Sequence, residues 1–172
     1  MFIASFQSSF KSIKIIIKMK KIDIKKSFLA GLFSTITIGA LTMLTYKTDY
    51  GIFLITSFGS SMVLLYGYPE SSFSQPKNIF FGHLLTSVIG IIFLYAVPLP
   101  ILLLIPFAVG FSIFLMILTK VVHPPAGANP IIVIMGSVSL DYIINPIIIG
   151  SLIILAFGII LNRLILKKKY PL

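Results

Sequence analysis

Cysteine is absent from the 172 residues, and acidic residues nearly so, with four Asp and Glu against 14 Lys and Arg. Without a thiol there is no disulfide, no cysteine nucleophile and no thiolate metal site. Charged residues of both signs amount to 10% of the chain, while hydrophobic residues reach 58%. A soluble domain carries about 25% charged residues, because its surface must be wetted. This chain has too few to coat a globule, and its mean hydropathy of +1.09 matches that deficit. Long apolar segments must then face lipid or one another, and helices satisfy their own backbone there. The expected fold class is an all-α polytopic membrane protein.

The acids that exist are not placed for chemistry at depth. Asp23, Asp49, Glu70 and Asp141 fall in flanks or connections. That argues against a carboxylate-ligated cation site and a carboxylate proton relay. Two histidines far apart in sequence, His83 and His123, make a weak metal case without cysteine. No phosphate loop or nucleophile motif appears, so neither an enzyme activity nor a cofactor is expected.

A net charge of +10 suggests nucleic acid until the charges are located. Lys11, Lys14, Lys18, Lys20, Lys21, Lys25 and Lys26 precede the first long apolar stretch, and Arg163, Lys167, Lys168 and Lys169 close the last one. Basic clusters at membrane ends mark cytoplasmic flanks. No soluble module exists to present a nucleic-acid face, so no such partner is expected. The expected partners are the lipid bilayer and a small solute, with a second copy of the chain as a further candidate. The stretch from Phe6 to Ile24 alternates apolar and basic residues, which suits either an interfacial helix or a basic tail.

Apolar blocks run over 28–46, 50–68, 79–97, 99–119 and 146–166. Pro98 and Pro100 turn the corner between the third and fourth blocks. A sixth block, 120–140, opens with prolines at 124, 125 and 130, which forbid a regular helix through its first half. With both ends cytoplasmic the number of crossings is even. Six crossings put Lys77 and Lys120 inside and Asp49 and Asp141 outside. The alternative has four crossings and two re-entrant segments. A bacterial-type inner or plasma membrane is the expected location.

A shift of 68 positions superimposes small residues: Gly59 on Gly127, Gly82 on Gly150, Gly90 on Gly158. Ser60-Ser61 falls on Ala128-Asn129, and Asn78 lands one place from Asn145. The chain therefore divides into a basic segment (1–27), a first membrane repeat (28–97), a second (98–166) and a basic tail (167–172). Each repeat holds a full helix, a broken element and another full helix. A three-crossing repeat inverts relative to its partner, and broken elements in such folds line the solute path.

The most specific stretch is His123-Pro124-Pro125-Ala126-Gly127-Ala128-Asn129-Pro130. Its prolines remove backbone donors and disfavour helix at the residues before them. Gly127 and Ala128 would admit a close backbone, Asn129 offers a polar side chain at a half-helix start, and His123 can donate, accept or titrate. A proline kink with an interfacial histidine is the plain alternative. Gly59, Ser60 and Ser61 form the matching small patch, suited to a solute or to close helix contact. Gln75, Lys77 and Asn78 precede the third block; Lys77 would attract an anion or serve as a loop lysine. His83 sits one turn into that block, as an interior polar residue or a satisfied interfacial histidine. Lys120 precedes His123 by three positions and would share a helical face with it, or anchor the interface.

These motifs resemble the HPP family of integral membrane proteins, named for the His-Pro-Pro triplet. Ser57-Phe58-Gly59-Ser60-Ser61 with Val63-Leu64-Leu65-Tyr66-Gly67 is similar to that family's first glycine block. Ser74-Gln75-Pro76-Lys77-Asn78 with Gly82-His83 is similar to its Gln-Pro-Arg-Asn and Gly-Gly-His segment. Lys77 stands for the usual arginine, which keeps the charge and loses the bidentate fork. Phe81 replaces a glycine, and Asn129-Pro130 replaces a common Thr-Ala pair. Plastid and cyanobacterial members are associated with nitrite transport, so the resemblance implies a small-anion transporter or channel. A pore or carrier for a neutral solute, or a non-transporting membrane subunit, remain the competing readings.

Overall fold

The computed structural model describes residues 23–49 and 51–172. The basic segment before Asp23, including the amphipathic stretch from Phe6, lies outside them. The described chain is helical and, among the described residues, has no β-strand.

Helix α1 (Ile24–Lys47) starts where the Asp23 carboxylate accepts the Lys26 backbone N–H at 2.9 Å. It buries only Phe33, Thr37 and Leu41, one residue per turn along a single stripe. The other faces expose large apolar side chains such as Phe28 and Met43, as a lipid-facing helix should. Residues 51–55 are non-helical and end extended at Ile55 (φ −127°, ψ 155°), and α2 (Thr56–Met62) follows, widening into a π-turn over Val63–Gly67. A 3-10 turn (Ser72–Ser74) leads to α3 (Pro76–Ala96), with proline at its first position.

Helix α3 is the centre of the molecule. It buries residues on several faces, among them Ile79, His83, Thr86, Ser87 and Ile89. Helix α4 (Ile101–Leu118) packs on it through Leu104, Ala108, Ser112 and Met116, a strict four-residue stripe. Its outer face is bare, with Leu102 83% exposed, which in water would aggregate and in a bilayer meets acyl chains. A 3-10 turn over Pro124–Ala128 runs into α5 (Asn129–Met135). The last span comprises a 3-10 turn (Leu140–Ile143), a π-segment (Ile144–Ile148), α6 (Ile149–Ile159) and a π-turn (Ile160–Ile165).

Four helical stretches are long and apolar enough to cross a bilayer. The two broken elements also pass from face to face. At the basic face, Lys26 Nζ lies 4.0 Å from the Glu70 carboxylate, and the Tyr170 hydroxyl donates to the Ser74 carbonyl at 2.8 Å. There too the Asn78 amide donates to the Val122 carbonyl at 2.9 Å. At the opposite face the Tyr95 hydroxyl donates to the Val138 carbonyl at 2.9 Å, and Gly51 abuts Asn145. Four long spans and two broken ones make six crossings, and the re-entrant alternative is set aside. Lys77 and Lys120 accordingly share the face that holds Lys26 and the C-terminal tail.

Broken backbone in an apolar bundle needs internal partners. Thr45 Oγ1 accepts the Phe53 and Leu54 N–H groups at 3.0 and 3.2 Å, serving the non-helical segment before α2. The Asn162 amide donates to the Leu65 and Gly158 carbonyls, both at 3.0 Å, covering an acceptor in the π-turn. The prolines break the regular helix as expected, though not at every residue that precedes one. His123 is extended (φ −134°, ψ 100°), as a residue before proline should be, yet Asn129 before Pro130 is helical (φ −60°, ψ −41°). The prolines thus tighten the first half into a 3-10 turn rather than abolishing helix. Lys120 has φ 57° in the turn after α4, so it shares no helical face with His123.

Close backbone approach occurs on α3 and α6, not at Gly59 or Gly127, where an added methyl would meet nothing within 4 Å. A methyl on Gly82 would lie 2.8 Å from His123 Cβ and 3.1 Å from the Val121 carbonyl. On Gly150 it would lie 2.8 Å from the Phe53 carbonyl and 2.6 Å from the Phe58 ring. Gly90 faces Val133 and Gly158 faces Leu65 in the same way. The two sets correspond at one constant shift, 82 to 150 with 53 to 121, and 90 to 158 with 65 to 133. Each third helix therefore packs on the broken element of the other half. We expect Gly82→Ala to destabilise by about 1–3 kcal/mol through overpacking. Gly110→Ala, with nothing within 4 Å, should instead be neutral or gain up to about 1 kcal/mol of helix propensity. Thermal unfolding in detergent reads both.

Candidate functional site

Ser61, His83, His123 and Asn129 meet where the two broken elements cross α3, and all four are fully buried. His83 lies seven residues into α3, two turns rather than one, because the helix begins at Pro76. At 1.5 Å per residue that sets it about 10 Å below the helix start. Ser61 and Asn129 occupy corresponding positions of the two broken elements at the same shift (61 to 129).

The hydrogen positions follow from the contacts. The Asn129 amide nitrogen lies 3.2 Å from the His83 carbonyl, an acceptor only, so this end of the amide must be the NH₂. The same nitrogen is 3.0 Å from His83 Nδ1, which therefore accepts. His83, if neutral, then carries its proton on Nε2 and donates to Ser61 Oγ at 3.0 Å. On the other side, His123 Nδ1 stands 2.7 Å from the Phe73 carbonyl and must donate to it. Its Nε2 is left to accept from the Ser61 hydroxyl at 2.8 Å, a hydrogen for which the Ser57 carbonyl competes at the longer distance of 3.1 Å. Donation therefore runs in one direction, from Asn129 through His83, Ser61 and His123 to Phe73.

The surroundings complete the cluster. Asn129 Oδ1 accepts the Ser57 hydroxyl at 2.7 Å, and the amide nitrogen is also 3.1 Å from both Thr86 Oγ1 and Ser87 Oγ. Thr86 in turn donates to the Gly82 carbonyl at 2.9 Å. The Phe58 ring meets His83 edge-on at 5.0 Å, and the two imidazoles are 4.9 Å apart, centroid to centroid. Polar groups so placed are costly in an apolar bundle unless every one is satisfied, and such residues by default mark a function.

Of the residues singled out in the sequence, Ser61, His83, His123 and Asn129 converge. Pro125 is half-buried, and Pro124 and Ala128 are exposed on the outer side of the 3-10 turn. Gly127 faces α4 across a cavity of about 280 Å³ shared with Met116 and Ile117. Gly59 and Ser60 are exposed, Gly59 lining a cavity of about 350 Å³ against Ser34 and Ile38 of α1. Gln75 is a brace: its amide donates to the Pro69 and Ser71 carbonyls at 2.9 Å, and its oxygen accepts the Leu172 N–H at 2.8 Å. Asn78 braces Val122. Lys77 is exposed and lines a groove of about 420 Å³ with Phe81, Leu84, Leu85, Val88, Thr119 and Val121. Ser57, Thr86, Ser87 and the Phe73 carbonyl belong to the cluster but were missed. Ser57 lies four positions before Ser61 and Ser87 four after His83, a helical spacing that could have pointed to them.

Outside the crossing segments, burial pushes the Tyr170 phenol above its usual range, keeping it the protonated donor to Ser74. Burial first, and the neighbouring Lys26 ammonium second, lower the Lys168 pKa.

No solved structure matches this chain. Two transmembrane proteins of Dictyostelium discoideum do. One is 36% identical over 126 residues, covering 69% of this chain and 44% of the relative. The other is 33% identical over 159 residues, covering 87% and 51%. The chain thus spans about half the length of these curated relatives. A family model described as HPP, transmembrane region, matches residues 19–171. The chain belongs to the HPP transmembrane family.

Proposed function

We propose that this chain carries a small monovalent anion across the membrane, nitrite being the first candidate, along the seam where the two broken elements meet. The observation that supports this most is the buried cluster of Ser57, Ser61, His83, His123 and Asn129, contributed by α3 and both broken elements. Its hydroxyl, amide and imidazole donors have the chemistry to replace an anion's hydration shell. The constant shift between glycine contacts supports two inverted halves related by a pseudo-two-fold axis, with Ser61 and Asn129 at equivalent positions on either side of His83. The basic clusters favour placing the face of Lys26 and Lys168 in the cytoplasm. The fully buried cluster corresponds to an occluded conformation, which opens as the halves rock against each other. Anions enter from a face where Lys77, Lys120 and the terminal lysines raise their local concentration.

Thermal-shift screening of the purified chain against small anions tests the substrate class. We expect nitrite to raise the midpoint selectively; a flat anion panel contradicts the reading. The uncharged character of the cluster also supports a second reading, a path for a small neutral solute. Uptake of labelled urea or glycerol exceeding that of nitrite would favour it.

A further inference from the structure

Anion passage does not by itself require two histidines bridged by one hydroxyl. Ser61 Oγ is within hydrogen-bond distance of both Nε2 atoms, 3.0 Å from His83 and 2.8 Å from His123. We propose that His83, Ser61 and His123 form a proton relay that moves one proton with each anion, an inference that rests on the transport reading above.

Electrostatics explains the coupling. The groups touching the two rings are uncharged: Ser61, Asn129, the Phe58 edge and the Phe73 carbonyl. A lone imidazolium in such a site is unfavourable, and so is a lone anion. Together they neutralise each other, so each raises the other's affinity by the same factor. Two imidazoliums at a centroid distance of 4.9 Å would repel with no carboxylate between them, which limits the site to one extra proton.

The relay balances. A proton arrives at His83 Nδ1 once the Asn129 amide turns away. The Nε2 proton of His83 passes to Ser61 Oγ while the original Ser61 proton passes to His123 Nε2. His123 is then the imidazolium, and it releases its Nδ1 proton towards the basic face, where the Phe73 carbonyl had held it. Three N–H or O–H bonds form and three break. Rotation of the Ser61 hydroxyl and reversal of the two tautomers reset the chain.

The full chain reconstituted in liposomes tests this, with a pH dye inside, nitrite measured chemically, nitrate as a parallel probe, and protein-free vesicles subtracted. The wild type should move protons and anion in a ratio near one. Ser61→Ala should lower that ratio at least about tenfold whatever anion rate remains, and Ser61→Thr should restore it. A wild-type ratio in Ser61→Ala, or wild-type anion uptake without protons, overturns the relay and leaves transport standing. Movement of neither overturns the transport reading and the relay with it. If Ser61→Ala does not fold, wild-type proton flux in D₂O decides. Slowing of about twofold or more supports the relay, and an unchanged rate overturns it.

Discussion

Asn129→Leu, close to isosteric, is expected to destabilise the chain by about 2–4 kcal/mol, because it strips several buried groups at once. Ser57 loses its acceptor, and His83 Nδ1 and the His83 carbonyl lose a donor. The Thr86 and Ser87 oxygens, each 3.1 Å from the same nitrogen, share its two N–H groups with those His83 acceptors and lose that share. In an apolar bundle no water makes good these losses. The effect should appear as a lowered thermal midpoint in detergent, far larger than for Gln75→Leu at the basic face, where water replaces the amide. Equal midpoints for Asn129→Leu and the wild type would mean that the cluster is not closed as described.

The second large effect concerns transport. His123→Ala removes the ring between Ser61 and the Phe73 carbonyl, ending the donor chain at a hydroxyl. Loss of a positioned proton-transfer group costs about 10²–10⁴-fold in rate, so nitrite uptake should fall at least a hundredfold. His83→Ala should do the same, since both rings serve one path. The double variant should be little worse than either single one, because residues acting as a unit are non-additive. Independent, multiplying losses would place the two histidines on separate routes.

Much of the architecture was legible from composition. The scarcity of charge forced a membrane reading, and the prolines at 124, 125 and 130 marked the broken element correctly. Element ends were read less well, because apolar and helical are not the same property. The non-helical residues 51–55 are at least as hydrophobic as the helix that follows, and Thr45 caps part of that segment's backbone from another helix. Gly127 drew attention as a place for close approach, yet the tight contacts fall on Gly82, Gly90, Gly150 and Gly158. The 68-residue shift had matched all four of those residues with no way to tell what each would touch; the structure supplies the partners.

The site was legible where residue chemistry is rare and illegible where it is common. The two histidines, and Asn129 close after the His-Pro-Pro triplet, stand out in so apolar a chain. Ser61 and Ser60 are adjacent and identical in kind, and only helical phase turns one inward and the other out. The Phe73 carbonyl leaves no mark on the sequence, since any residue carries one. Lys77 looked like an anion ligand because charge is conspicuous, whereas its position on an exposed groove makes it at most part of the approach.

Nitrite uptake by the purified wild-type chain in liposomes, side by side with His123→Ala, tests the central claim most directly. Saturable uptake above protein-free vesicles, lost in the variant, is the result expected. Uptake no greater than that of empty vesicles, or equal uptake with and without His123, would contradict it.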